Sequence, residues 1–361
     1  MKRPLPHCVA LLAAVLVTGC RERALDEQQY LSGSERPVFL FETPAPSGRP
    51  AALRLRGGCA LLLAPGAPFD LAACYNSGLR SVSSGEIVLE RAWFLHGGSI
   101  ERAERALYRL HGRAPQDPGV YTLTLPRPDR RGEVEDAMRI LVLEPAEPLL
   151  RNPAYAYPPS AGAEVKEAVR RHAESYQPPA FLLRMEPAVA ALEVLPGYTL
   201  NEWVCHTQKD GTESAPFATL SPALLEKVQR FNDELARRGL SKTGARLLSG
   251  FRTPKYNIEV EGTRYSRHIY GDAADLIVDD NGDGRMDDIN RDGVLDRKDG
   301  IALARVAEDL EVAGSVEIGG IGIYELEPKN PRGVSLHLDT RGFRARWGFS
   351  YLSGQEVEFS W

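Results

Sequence analysis

A histidine and an aspartate stand seven residues apart in the segment SRHIYGDAAD, residues 266–275, directly before the apolar run LIV. Side chains of these two types bind zinc, and a catalytic zinc site usually has three protein ligands and one open position. His337, in SLHLD, is the histidine that lies downstream in the same part of the chain. Together, His268, Asp275 and His337 form a two-histidine, one-carboxylate set with a net charge of about +1 around zinc. Zinc held in this way lowers the pKa of a water molecule to about 7 and polarises a carbonyl group.

The surrounding elements predict an α+β arrangement with polar residues at the strand ends. The clearest helix is SPALLEKVQRFNDELARRG, in which Ser221 is a candidate N-cap, Pro222 opens the first turn and Gly239 ends the helix. Three short apolar segments are predicted to be strands. They are ARLLSG, which breaks at Gly250, then GSVEIGGIGIYE, and GVSLHLDTRG, which carries His337. A histidine and an aspartate at this spacing also occur by chance, so these residues alone leave a purely structural role open.

Four ordered segments of the chain carry a resemblance to known proteins: SGFRTPKYN (249–257), SRHIYGDAADL (266–276), GGIGIY (319–324) and SLHLDTRGFRARWG (335–348). They resemble the zinc peptidase superfamily that includes D-alanyl-D-alanine carboxypeptidases, lysostaphin-type endopeptidases and hedgehog-like domains. They are most similar to bacterial murein endopeptidases of the carboxypeptidase branch. The resemblance covers roughly residues 196–348, less an insertion, and implies a hedgehog-like zinc domain.

The resemblance implies a role for each matching residue. It makes His268, Asp275 and His337 the ligands of one catalytic zinc ion, and it implies that Arg252 steers a carboxylate or carbonyl of the substrate. Carboxypeptidases of this branch carry Glu-x-x-His with the glutamate as general base, but this chain has Val334 three residues before His337. The His-x-Asp form with Asp339 resembles the endopeptidase-like members. This leaves Asp339 to orient His337, to assist the water, or to pair with an arginine.

An acidic insertion at residues 279–300, DDNGDGRMDDINRDGVLDRKDG, contains Asp-x-Asn-x-Asp-Gly twice. Calcium loops of EF-hands place oxygen ligands at positions one, three, five, seven, nine and twelve, with glycine at six. The pattern predicts one or two structural calcium ions; a solvated acidic loop is the alternative. The second copy is the more complete and supplies Asp288, Asn290, Asp292, the Val294 carbonyl, Asp296 and Asp299. The first copy supplies Asp279, Asn281, Asp283 and Asp287.

The first twenty residues, MKRPLPHCVALLAAVLVTGC, have a basic start and a short apolar run, as in a secretory signal. Their ending, VTGC, resembles the lipobox of bacterial lipoproteins, which implies that Cys20 carries lipid and anchors the protein to a membrane. No aspartate follows Cys20, which favours the outer membrane. The alternative is an ordinary cleaved signal with a chance cysteine.

Residues 21–36 are polar and suit a tether. Short apolar runs separated by turn residues then predict a small all-β, sandwich-like domain at 37–145. Residues 146–195 read as a proline-rich linker and a helix, and the zinc peptidase-like domain follows at 196–361. In an oxidising compartment Cys59 and Cys74 could form a disulfide; pairings with Cys205 are the alternatives.

The composition is that of a globular protein: 361 residues, 43% of them hydrophobic and 26% charged. A net charge of −5 gives no basis for a nucleic-acid partner. The sequence therefore predicts a lipid-anchored zinc metallopeptidase that faces the periplasm or cell envelope and acts on peptidoglycan peptides. The alternatives are a non-catalytic wall-binding protein and a calcium-dependent scaffold that keeps the fold.

Overall fold

The computed structural model describes residues 38–44, 50–56, 59–74, 86–91, 94–104, 107–126, 134–204, 216–325 and 333–348. The predicted signal at 1–20 with Cys20, the tether at 21–36 and Cys205 lie outside these ranges. None of the helices in these ranges is long and apolar enough to cross a membrane. The described part combines sheets with few helices, in agreement with the α+β prediction.

Within the described ranges, the N-terminal part forms one hydrogen-bonded sheet of nine strands in the order β2-β1-β4-β7-β6-β5-β8-β9-β3. Neighbouring strands are antiparallel except β3 and β9, which are parallel. This strand order describes one sheet and does not describe two packed layers, so the sandwich-like arrangement remains a prediction. The strands are β1 (Val38–Pro44), β2 (Pro50–Arg56), β3 (Ala60–Leu63), β4 (Pro68–Cys74), β5 (Glu86–Arg91), β6 (Phe94–Glu104), β7 (Leu107–Arg113), β8 (Gly119–Pro126) and β9 (Val134–Val142).

The middle segment, predicted as a linker, is built of short elements that pack against the rest of the protein. Tyr155 is buried, and its hydroxyl donates to the carbonyl of Phe217 at 2.8 Å. The strands are β10 (Glu144–Pro145), β11 (Phe181–Arg184), β12 (Glu193–Leu195), β13 (Tyr198–Thr199) and β14 (Phe217–Ala218). The helices are α1 (Glu167–Arg171) and α2 (Pro187–Ala190), with 3-10 turns at Leu149–Arg151, Pro153–Tyr155, Ala173–Tyr176 and Leu200–Trp203.

The predicted long helix is confirmed as α3 (Pro222–Arg238), with Ser221 at the N-cap position and Pro222 in the first turn. Gly239 ends it with a φ of 67°, a left-handed conformation that glycine adopts at little cost. Helix α4 (Pro254–Glu259) begins within the segment SGFRTPKYN, and α5 (Arg297–Val312) begins in the last residues of the acidic insertion.

A sheet of five strands carries two of the three predicted zinc ligands, Asp275 and His337, in the order β15-β16-β18-β17-β19. Every neighbouring pair is antiparallel except β17 and β19. The strands are β15 (Ala245–Ser249), β16 (Ala273–Val278), β17 (Gly320–Glu325), β18 (Val334–Asp339) and β19 (Ala345–Trp347).

One hydrophobic core joins the two sheets. Helix α5 packs on β17 and β18, whereas α3 contacts both α5 and the N-terminal strand β2. Leu53 and Leu55 of β2 are buried in the same cluster as Leu224 and Phe231 of α3. The N-terminal sheet therefore shares its packing with the unit that carries the ligands.

Candidate metal centre

The register of the five-stranded sheet lines up one residue from each strand. Asp275 pairs with Ser249 on one side and with His337 on the other, and His337 pairs with Gly322, which pairs with Trp347. Side chains of directly opposed residues point to the same face of a sheet. The pairing therefore sets a carboxylate and an imidazole side by side, although 62 residues separate them in the chain.

The three predicted zinc ligands converge. Among the described residues, one group of at least three His, Cys, Asp or Glu side chains has ligand atoms all within 4.8 Å of one another, and it is His268, Asp275 and His337. His268 comes from a 3-10 turn at Arg267–Tyr270, which ends at Gly271 with a φ of 71°. Both histidines are buried, each with 3% of its surface exposed.

Hydrogen bonds outside the group fix which nitrogen each histidine can offer. Nδ1 of His268 lies 2.7 Å from the carbonyl oxygen of Gly250, so it carries the proton and leaves the Nε2 lone pair toward Asp275. On His337, Nδ1 lies 2.9 Å from Oδ1 of Asp275, and Nε2 lies 3.1 Å from Oδ2 of Asp339. Metal-binding histidines commonly donate their second N–H to a carbonyl or carboxylate in this way. The donor set fits zinc, with His268 Nε2, His337 Nδ1 and a carboxylate oxygen of Asp275 as its ligand atoms.

The electrostatics keep His268 and Asp275 in forms that bind metal, whereas the raised pKa of His337 favours its protonated form, from which a metal ion would displace a proton. Burial lowers the pKa of His268 and favours its neutral form. Burial opposes ionisation of Asp275, but the two imidazoles outweigh it and hold the pKa of that carboxyl well below its usual range. Burial also opposes charge on His337, yet hydrogen bonds to Asp275 and Asp339 raise its pKa. A neutral imidazole and an ionised carboxylate are the forms in which these groups bind zinc.

Asp339 lies behind His337, on the side of the ring away from the ligand group. Its carboxylate is fully buried and accepts hydrogen bonds from Nε of Arg341 at 2.9 Å and from the amide of Gly320 at 2.7 Å. It also accepts from the backbone amide of Arg341 at 3.2 Å and from Nε2 of His337 at 3.1 Å. Of the three roles open for Asp339, this geometry matches orientation of His337 together with an ion pair to Arg341.

Arg252 borders the ligand group on the β15 side. Its Nη2 lies 3.0 Å from Oδ2 of Asp275, and its Nε donates to the hydroxyl of Ser249 at 2.9 Å. The side chain is 18% exposed. This position is compatible with the substrate-steering role that the resemblance implies.

Two aromatic residues beside His337 were not among the predicted site residues. The ring of Trp347 lies 5.0 Å from that of His337, and the ring of Tyr324 lies 6.1 Å away. The available sequence signal was Gly322, because a glycine in a strand marks a place where another group approaches closely. A Cβ at Gly322 would come within 1.9 Å of the Trp347 ring.

The predicted linker braces the loops that hold the ligands. The hydroxyl of Tyr157 donates to the carbonyl of Ile269, next to His268, at 2.9 Å. Ser175 accepts from Arg267 through its carbonyl at 2.7 Å and donates through its hydroxyl to the carbonyl of Arg341 at 2.9 Å. The segment thus holds the turn before β16 and the loop after β18 together.

The first predicted calcium loop folds around its own backbone and one arginine. Asp279 accepts from Arg246 at 2.8 Å and from the amide of Gly284 at 3.0 Å. Asp287 accepts from Asn281 at 2.9 Å. Gly284, at position six, has the predicted turn conformation with a φ of 83°.

The second loop has the same turn, with Gly293 at a φ of 83°. Asp292 pairs with Lys298 at 2.9 Å, and the same ammonium group lies 3.7 Å from Asp296. Asp299 is fully buried and accepts from the amide of Ile289, so it serves helix α5 and the loop at once. Lys298 thus supplies positive charge among these carboxylates.

A site that combines two histidines, one aspartate and a second carboxylate behind a ligand is typical of zinc hydrolases. Comparison with known proteins agrees: residues 197–304 match the family model of Peptidase M15, a stretch that contains His268 and Asp275. No curated protein and no solved structure matches the chain. The match supports a metallopeptidase of the M15 zinc peptidase family.

Proposed function

We propose that the protein is a zinc metallopeptidase that hydrolyses peptide bonds in peptidoglycan stem peptides or cross-links. The observation that carries the proposal is the convergence of His268, Asp275 and His337 within 4.8 Å. His268 and Asp275 lie inside the matched stretch, and His337 lies after its end at residue 304. Zinc, when bound, supplies a Lewis acid that activates water and polarises a carbonyl. The chain's own residues orient the ligands, exclude water from behind them and present Arg252 to an anionic group of the substrate.

Murein endopeptidase action is the form of this activity that the residues favour. The general base of the Glu-x-x-His carboxypeptidases is replaced by Val334, which is buried on β18. The His-x-Asp arrangement of His337 and Asp339 instead resembles the endopeptidase-like members.

The protein acts outside the cytoplasm in this proposal. The basic and apolar start of the chain and the VTGC ending support export and lipid attachment at Cys20. A lipid anchor in the outer membrane would hold the peptidase next to its peptidoglycan substrate.

Metal analysis of the purified full-length chain tests the zinc centre. We expect about one zinc per chain in the wild type, loss of that zinc in His268→Ala, and retention in His172→Ala. His172 stacks on Phe343 with ring centroids 3.6 Å apart and is not part of the ligand group. Equal zinc content in all three proteins would contradict the assignment.

Cleavage of isolated muropeptides, with and without a chelator, separates the enzyme from a wall-binding protein. The replacement of the usual base by Val334 is the observation that favours the non-catalytic alternative. Zinc-dependent release of peptide fragments supports the peptidase, whereas zinc binding and muropeptide binding without cleavage would support the binding protein.

We also propose that the second loop binds a calcium ion that has a structural role. The ion would replace Lys298 as the counter-charge of Asp292 and Asp296. Calorimetric titration of the zinc-loaded chain should detect calcium binding that Asp292→Asn abolishes. Asp309→Asn, on the exposed side of α5, is the matched control that should bind calcium normally.

A further inference from the structure

Tyr324 stands beside the ligand group on the same face of the sheet. Gly322 pairs directly with His337, and Tyr324 lies two residues further along β17. Because every second residue of a strand faces the same way, the Tyr324 side chain lies on the same face of the sheet as His337. The Tyr324 ring meets the His337 ring edge-on at 6.1 Å. With 42% of its surface exposed, Tyr324 can reach a molecule that enters the site.

Trp347 fixes both the ring and the hydroxyl of Tyr324. The indole ring lies over Gly322, packs 5.0 Å from His337 and lies 6.1 Å from the Tyr324 ring. Its N–H donates to the Tyr324 hydroxyl. A hydroxyl has one proton and two lone pairs, so accepting the indole N–H uses a lone pair and leaves the proton to be donated.

The Tyr324 hydroxyl keeps this proton at neutral pH. The hydroxyl of a tyrosine ordinarily titrates at about pH 10. At neutral pH the group is therefore a neutral donor and not a base. The guanidinium of Arg252, by comparison, already binds Asp275 and Ser249.

Peptide hydrolysis places negative charge on the carbonyl oxygen when water adds to the carbonyl carbon. Fixed donors aimed at that oxygen stabilise the transition state because they need no reorganisation during the reaction. We propose that the Tyr324 hydroxyl is such a catalytic donor and hydrogen-bonds the substrate carbonyl oxygen as it becomes an oxyanion, with Trp347 as its positioning residue. This inference rests on the proposed peptidase function.

The test compares Tyr324→Phe with the wild type and with Tyr121→Phe. Phenylalanine keeps the ring contacts and removes only the hydroxyl. Tyr121 lies on β8, outside the five-stranded sheet, and its hydroxyl donates to the Asp117 carbonyl, so Tyr121→Phe is a matched control. Loss of an oxyanion donor should lower kcat on muropeptides by about 10²–10³-fold with little change in KM. Zinc content should not change.

A second measurement is independent of turnover. A phosphinate dipeptide mimics the tetrahedral oxyanion, so its calorimetric affinity for zinc-loaded Tyr324→Phe should fall by a factor similar to that in kcat. Affinity for the product peptide should remain that of the wild type.

Each other result has a clear meaning. Unchanged kcat and phosphinate affinity in Tyr324→Phe would overturn the inference and leave the peptidase intact. Loss of zinc in Tyr324→Phe, or equal losses of phosphinate and product affinity, would show a structural role and also overturn it. Absence of cleavage by the zinc-loaded wild type would overturn the proposed function together with the inference.

Discussion

Replacing Asp339 by asparagine should weaken zinc binding without touching a ligand. The carboxylate accepts from Nε2 of His337 at 3.1 Å, from Nε of Arg341 at 2.9 Å and from the Gly320 amide at 2.7 Å. Asparagine keeps the shape and one acceptor oxygen, but it offers an NH2 group where a second oxygen was and no charge for Arg341. Loss of a ligand's outer partner typically lowers metal affinity about 10–100-fold, or about 1.4–2.7 kcal/mol.

The same change should also destabilise the fold. Removing one partner of a buried ion pair costs about 3–5 kcal/mol in the free energy of unfolding. The two effects must be measured separately, because bound zinc itself stabilises the native state. Zinc affinity should therefore be measured by chelator competition under native conditions, and unfolding by urea on the metal-free protein.

Asp272→Asn is the matched control. Asp272 accepts from Nε of Arg267 at 3.1 Å in another buried ion pair, and its carboxylate is not bonded to a ligand side chain. We expect it to lose comparable stability and to keep wild-type zinc affinity. If both variants lost zinc affinity equally, general loosening would explain the effect; unchanged affinity in Asp339→Asn would show that this residue does not orient His337.

Three further predictions concern the surroundings of the site. Gly322→Ala should displace the Trp347 ring, because a Cβ would come within 1.9 Å of it. We expect a loss of about 1–3 kcal/mol in the free energy of unfolding by urea and a changed tryptophan fluorescence spectrum. An unchanged spectrum and stability would contradict this packing. Tyr157→Phe should leave the Ile269 carbonyl without its donor and cost about 1–3 kcal/mol by the same measurement, whereas a neutral effect would show that the middle segment does not brace this turn. Burial opposes ionisation of Asp280, but hydrogen bonds from neighbouring hydroxyls and amides hold its pKa at about 2, below the unfolded value of about 3.9. Its contribution to stability is therefore present above about pH 4 and is lost as the pH falls toward 2. Asp280→Asn should flatten this part of the pH–stability curve, and an unaltered curve would refute the assignment.

Much of the ligand-bearing unit could be predicted because its signals are local. The bounds of α3 follow from Pro222 at its start and from Gly239 at its end, and β16 follows from an apolar run that is buried at every position. The middle segment at 146–195 could not be recognised as packed structure. Proline-rich composition is typical of linkers, whereas its contacts with residues about 100 positions away depend on the completed fold.

By itself, the sequence determined which residue types are available: the His268 and Asp275 pair, His337 and Asp339, and the glycines at the turns. Only the tertiary structure decided how they work together. The order β16-β18-β17 sets Asp275 opposite His337 and brings Tyr324 beside it. The physical reason is that strand order and register depend on packing between distant segments, and this packing leaves no periodic trace in the chain.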